Sequence, residues 1–151
     1  MKGVVPLLSC LLLAVACQPS ERAAELDQLR VGDALPTPLT TLAGQPEIGK
    51  RIFTEREAGH CVLCHSMAGL ETEFQGTIGP ELTGIGSRLT PGQIRLRIVD
   101  YDRLVPGALM PSYHRTHDLY QVAEPYRGDP ILTAMQVEHL VAYLGSQTDA
   151  D

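Results

Sequence analysis

Basic side chains are few in this sequence of 151 residues, with 12 lysines and arginines against 18 aspartates and glutamates. They are not clustered, so the sequence does not predict the phosphate contacts that nucleic-acid binding requires. No stretch shows the apolar alternation of a β-strand, which argues against a sheet. The length suits one modest domain. The sequence therefore predicts an acidic, all-α domain.

Cysteine is also scarce. The sequence contains Cys10 and Cys17 near its start, and Cys61 and Cys64 within one short motif. Cys10 lies in the predicted signal and Cys17 at its end, and the motif uses the other two cysteines. No structural disulfide is therefore predicted.

No apolar run is long enough to span a bilayer as a helix. The longest, residues 4–16, follows Lys2 and has the short apolar region of a secretory signal. Residues 1–16 are therefore predicted to be a signal peptide, and the mature protein is predicted to be exported to the periplasm.

Two interpretations of the cleavage site remain open. Ala14-Val15-Ala16 resembles the site of an ordinary signal peptidase. Small residues directly before Cys17 also resemble a lipoprotein signal, although Ala14 stands where leucine is usual. In the second case a lipid on Cys17 tethers the protein to a membrane face.

Residues 17–46 are predicted to form a linker or arm. Prolines are frequent and apolar periodicity is weak, so at most a short helix is expected, around Ala23–Leu29. The arm is either a spacer or a strap laid over a partner subunit.

Residues 47–151 are the predicted folded domain, with three helical patterns. The first covers Glu47–Ala58, and the second covers Thr90–Leu104 with Gln93 completing a capping box. Arg95 and Arg97 point away from the apolar stripe of the second helix. Residues 78–88 are predicted to be a loop because they are rich in glycine and include a proline.

The third helix has the strongest signals. Thr133 and Gln136 form a capping box, and Leu132 with Val137 fits a hydrophobic staple. One apolar face follows, and Gly145 supplies a stop. The residues of that face are Val137, Leu140, Val141 and Leu144.

The motif Cys61-Val62-Leu63-Cys64-His65 has the C-x-x-C-H spacing that predicts covalent attachment of a c-type haem. Each thiol joins one vinyl group, and His65 supplies the proximal iron ligand. One covalent haem c is predicted, and it supplies apolar core that so short a chain lacks.

Three other interpretations of the motif are a redox dithiol, half of a zinc site, and two ordinary buried cysteines. A redox dithiol would not require His65 and is expected between a strand and a helix. A zinc site would need a second pair of ligands, for which His114 and His117 are the only candidates, at an unusual separation from the cysteines.

The sixth ligand decides whether the iron is reactive or built for electron transfer. Met110 is the favoured candidate because it lies in a proline-flanked loop between helices, although a methionine is often only a core residue. His114 is the alternative. The other methionines and histidines lie too close to the motif or in less favourable positions: Met67, Met135, His60, His117 and His139.

A ligating histidine also needs a hydrogen bond to its second ring nitrogen. The carbonyl of Pro80 in the Gly79-Pro80 turn is a candidate acceptor for His65, although Gly-Pro is also a common turn signal.

With these motifs in view, the chain resembles the class I cytochromes c, and within them the SoxX family. The segments that carry the resemblance are CVLCH, IGPELTGIGSR, MPSY and PILTAMQVEHLVAYL, and it spans roughly Ile48 to Gly145. The first two are shared by many cytochromes c, so the run that begins at Met110 identifies the subfamily.

The resemblance implies a role for five residues. Cys61 and Cys64 are the thioether attachments, and His65 and Met110 are the iron ligands. The carbonyl of Pro80 is the partner of the proximal imidazole.

The resemblance also implies the activity of a complex. Members of the family are monohaem subunits of a SoxAX heterodimer, an L-cysteine S-thiosulfotransferase that oxidatively joins thiosulfate to a cysteine of the carrier SoxYZ. The sulfur chemistry is assigned to a SoxA-type haem subunit, so no catalytic residue is expected here. This chain would accept the electrons and pass them to a downstream acceptor. The alternative is a stand-alone exported monohaem cytochrome c that carries electrons for a respiratory chain.

Overall fold

The computed structural model describes residues 21–149, so the predicted signal peptide and Cys17 lie outside the described residues. Five helices are present among these residues: α1 (Glu21–Leu29), α2 (Pro46–Thr54), α3 (Ile85–Arg88), α4 (Pro91–Asp100) and α5 (Ala134–Gly145). Short 3-10 turns cover Cys61–Leu63, Tyr101–Arg103 and Glu124–Tyr126. In this part of the chain the only extended pairing is one bridge, between Val31 and Ala34. The all-α prediction is confirmed.

The two best-marked helices begin where their caps predict. The Thr90 hydroxyl oxygen accepts the Gln93 N–H, and the Thr90 N–H donates to the side-chain oxygen of Gln93 in return. Thr133 and Gln136 repeat this arrangement. Leu132 is completely buried beside the start of α5. Gly145 is the last residue of that helix, and the cap is Ser146 in a right-handed conformation.

Helices α2 and α5 cross at very close range, and this crossing forms the centre of the core. A Cβ atom at Gly49 would lie 2.0 Å from the carbonyl oxygen of His139, so only glycine allows the approach. One turn later the rings of Phe53 and Tyr143 meet edge to face, with centroids 5.7 Å apart. Helix α4 packs against α5 on another side.

The spacer interpretation is wrong for residues 31–45, because this stretch packs against α4 and α5. Leu35 is buried in the core, the Leu39 N–H donates to Glu138 Oε1 at 2.9 Å, and the Gln45 N–H donates to His139 Nδ1 at 2.8 Å. Two backbone N–H groups of the stretch thus donate to side chains of α5. Within residues 21–30, the predicted short helix is present as α1.

Other sequence predictions need correction at element ends. The first helix stops at Thr54, not Ala58, because Glu55 is extended and the chain folds back until the Gly59 N–H donates to the Ile52 carbonyl at 3.1 Å. The second is α-helical only to Asp100 and continues as a 3-10 turn.

The predicted loop 78–88 contains α3. Gly84 adopts a left-handed conformation just before this short helix, and the Gly86 N–H bonds to the Gln147 carbonyl at 2.8 Å.

No helix among residues 21–149 has the length and apolar character needed to cross a membrane.

Candidate haem site

The C-x-x-C-H motif forms a single tight turn. His60 adopts a left-handed conformation just before it, and the Cys64 and His65 N–H groups both bond to the Cys61 carbonyl, at 3.1 and 2.9 Å. Side chains three residues apart in a 3-10 turn eclipse each other, so both cysteines face the same side. Both cysteines are half-buried and neither is in a disulfide.

The thiol of Cys61 is poorly suited to work as an anion. Burial, reinforced by the neighbouring Cys64, raises the pKa of Cys61 to about 12. A redox thiolate or a zinc ligand needs the deprotonated form, whereas a thioether carries no charge. Within residues 21–149 no cluster of three or more His, Cys, Asp or Glu side chains could hold a metal ion. These properties favour thioether attachment over the dithiol and zinc interpretations.

The imidazole of His65 is held in one tautomer. Its Nδ1 lies 2.7 Å from the carbonyl oxygen of Pro80, and because a carbonyl only accepts, Nδ1 must carry the proton. In the neutral ring this arrangement leaves Nε2 free of a proton, as a histidine that ligates iron requires. A Cβ atom at Gly79 would lie 2.4 Å from His65 Cε1, so the chain runs directly against the ring.

The loop that carries Pro80 is bonded directly to the motif. The Gly76 N–H donates to the Val62 carbonyl and the Gly79 N–H to the Cys64 carbonyl, each at 2.8 Å. A Cβ atom at Gly76 would lie 1.9 Å from the Leu63 carbonyl oxygen. The sequence did not predict this role of Gly76, because a glycine in an irregular stretch was the only signal for it.

Met110 is half-buried in the loop that follows the 3-10 turn after α4. Beyond it the Tyr113 N–H bonds to the Ile98 carbonyl at 3.0 Å, while the Tyr113 hydroxyl donates to the Gly59 carbonyl at 3.1 Å. Burial raises the pKa of Tyr113. Tyr113, which sequence reasoning also missed, therefore joins the methionine loop to the cysteine motif.

Several other candidate ligands are engaged elsewhere. Met67 is buried and accepts the Tyr143 hydroxyl at 3.3 Å, and His139 accepts the Gln45 N–H. His114 donates from Nδ1 to the Leu132 carbonyl at 2.7 Å, which leaves Nε2 unprotonated and keeps this residue as the alternative to Met110.

Large apolar side chains beside the predicted ligands are exposed on the protein surface. Leu63, Ile78 and Leu109 are 51%, 71% and 88% exposed, and they lie next to Cys64, Gly79 and Met110 in the sequence. These exposed apolar side chains are available to contact an apolar cofactor. These apolar side chains, the two thiols on one side of the turn and the oriented His65 imidazole together fit a haem.

Comparison with known proteins decides the family. The family model for cytochrome c matches residues 46–148. The chain belongs to the cytochrome c family. This cytochrome is also similar to a chain in the crystal structure of SoxXA from P. pantotrophus, with 34% sequence identity and a TM-score of 0.73. The match covers 79% of this chain and 93% of that chain. No curated protein sequence matches significantly.

The two matches confirm three predictions from the sequence. The cytochrome is of the SoxX type, its fold is the helical cytochrome c fold, and its cofactor is a covalently bound haem c. It is an electron-transfer subunit of the SoxAX kind.

Proposed function

We propose that this cytochrome is the electron-accepting subunit of a SoxAX heterodimer that oxidatively conjugates thiosulfate to a cysteine of a SoxYZ-type carrier. The observation that supports the proposal most strongly is the 34% identity to a chain of SoxXA over 93% of that chain. A SoxA-type haem subunit is the proposed partner. The electrons then pass to a downstream acceptor.

The same proposal gives each site residue one role. Cys61 and Cys64 would form the two thioether bonds, and His65 and Met110 would hold the iron. The haem supplies a reversible one-electron centre. With both of these ligands in place, the haem would supply one-electron exchange and leave no site for a substrate. The Pro80 carbonyl holds the His65 ring in the required tautomer and orientation.

The cysteine content supports an electron-transfer role over a catalytic one. The folded part of the chain has only Cys61 and Cys64, and both are used by haem attachment. A thiol for covalent sulfur chemistry must therefore come from the partner subunit or the carrier.

Reconstitution tests this function. The purified cytochrome is mixed with the SoxA-type subunit, the SoxYZ-type carrier and thiosulfate, and reduction of its haem is followed by the visible spectrum. Reduction is expected only when all components are present. A carrier whose cysteine has been alkylated is the control, and it should prevent reduction.

Two results would contradict the proposal. The first is a native cytochrome that purifies as a monomer without a second haem subunit. The second is a haem that stays oxidised in the complete mixture. Either would favour the stand-alone carrier.

We also propose export to the periplasm through the signal in residues 1–16. The mass of the mature N-terminal peptide distinguishes the two cleavage interpretations, because lipidation would add acyl chains to Cys17.

A further inference from the structure

The loop that contains Met110 is fixed on one side by a buried carboxylate at the end of α4. Asp100 is completely buried, and its Oδ1 accepts the Ser112 hydroxyl at 2.6 Å. Arg115 and Arg103 each donate to the same carboxylate, at 3.2 and 3.3 Å. A buried charge is costly unless it is paired and hydrogen-bonded, and here every partner comes from the segment around the loop.

A second carboxylate fixes the other side of the loop. Asp102 accepts the Gly107 N–H at 2.8 Å and Arg115 at 3.1 Å. Gly107 adopts a left-handed conformation, which marks a sharp turn just before Met110. The Gly107 hydrogen bond and then Arg115 lower the pKa of Asp102, so this carboxylate is charged at neutral pH.

Arg115 bridges the two carboxylates, so the contacts on both sides of Met110 belong to one network. We call Asp100, Asp102 and Arg115 the carboxylate clamp. On the loop, Gly107 precedes Met110 and Ser112 follows it, and both bond directly to the clamp.

We propose that the carboxylate clamp positions Met110 and keeps its thioether on the haem iron. The inference rests on the proposed ligation by Met110. A neutral thioether is a weak ligand, and a loop that is already ordered loses less entropy when the bond forms. A loosened loop should therefore release the methionine more often.

Binding of imidazole to the ferric cytochrome measures this release, because imidazole reaches the iron only when the sixth ligand leaves. Ser112→Ala removes one loop contact and keeps both arginine pairs of Asp100. We expect imidazole to bind about tenfold faster in this variant, the effect of losing one hydrogen bond to a charged group. Asp102→Ala should act in the same direction.

Two variants serve as controls. Ser112→Thr retains the hydroxyl and should restore the rate of the original protein. Asp33→Ala breaks the ion pair with Arg97, which also lies on α4 but away from the loop, and should leave the rate unchanged.

The outcomes separate the clamp from the ligand assignment. If Ser112→Ala and Asp102→Ala lower resistance to urea but leave the imidazole rate unchanged, the clamp is only structural and the inference is wrong. Met110→Ala identifies the other failure. An unchanged haem spectrum in that variant would overturn the ligand assignment, and the clamp inference with it.

Discussion

Single residues at the haem site act mainly through direct contacts with a neighbouring residue. The Pro80 carbonyl selects the protonated nitrogen of His65, and Gly79 provides the space in which that ring lies. Met110 is the proposed second iron ligand, and as such its thioether would determine the chemistry of the iron. Its replacement is the sharpest test at this scale.

Met110→Ala should leave the haem covalently attached, because Cys61 and Cys64 are untouched. We expect a changed visible spectrum and a potential lower by on the order of 0.1 V, within the roughly 0.8 V range that axial ligation controls. The potential falls because a thioether stabilises ferrous iron. Spectroscopy and redox titration check both effects.

Met135→Ala is the matched control for this prediction. Met135 lies on α5 with its sulfur 3.8 Å from the Thr40 hydroxyl, so its loss should leave spectrum and potential unchanged. The opposite pattern, with a change only in Met135→Ala, would exclude Met110. If neither variant changes the spectrum, His114 becomes the candidate to replace.

At the scale of elements, the crossing of α2 and α5 sets how closely the two ends of the domain approach. Gly49→Ala would place a methyl group against the backbone of α5, which cannot give way as a flexible side chain would. We expect a loss of about 1–3 kcal/mol in the free energy of unfolding. Urea unfolding of the ferric cytochrome measures it.

Gly145→Ala is the control, since a Cβ atom there meets nothing within 4 Å. Alanine in a helix is favoured over glycine by about 0.8–1.0 kcal/mol in an interior position, so this variant should be as stable as the original protein or more so. Equal losses in both variants would show that the crossing is not the cause.

Elements marked by local signals were predictable from the sequence. The caps at Thr90 and Thr133 gave correct helix starts because their partners lie three residues away. The end of α2 was not predictable, since it depends on a turn that returns to Ile52. The sequence did not predict helix α3, because the glycines in and around it are typical of a loop.

The same distinction applies to the haem site. The cysteine motif is contiguous, so its spacing alone predicts the cofactor. Tyr113 and Asp100 carried no such signal, because Gly59 and Ser112 become their partners only after the chain has folded. Arg95 was expected away from the apolar stripe of α4, yet it is buried beside Glu138.

For the whole molecule, the Arg95–Glu138 pair joins three separate parts of the chain. The two side chains form two hydrogen bonds at 2.7 and 2.8 Å across α4 and α5. Arg95 also donates to the Leu35 carbonyl, and Glu138 accepts the Leu39 N–H. Residues 31–45 are thereby fixed to the domain.

Glu138→Gln should weaken the whole fold. Burial opposes ionisation of Glu138, but the hydrogen bonds from Arg95 and Leu39 and the Arg95 charge outweigh it and lower its pKa below 4.5. Its contribution is therefore complete above pH 4.5 and is lost as the pH falls through the lowered pKa. At pH 7 we expect a loss of about 3–5 kcal/mol, because Arg95 stays buried without its partner.

Urea unfolding from pH 7 down to pH 3 tests this prediction. The difference between the original protein and Glu138→Gln should narrow at the acid end. Glu124→Gln, in an exposed pair with Arg127, should change stability by less than about 1 kcal/mol. A difference that is constant with pH would mean that the carboxylate charge of Glu138 does not contribute.

The bonds between residues 31–45 and α5 also have a consequence for the order of events during the proposed export. Leu39 and Gln45 would cross the membrane early, but their partners Glu138 and His139 follow 99 and 94 residues later. Contacts of such separation form late, because a long loop must close first. The cysteine motif therefore emerges before the domain can close around it. That interval is when an attachment enzyme could reach both thiols.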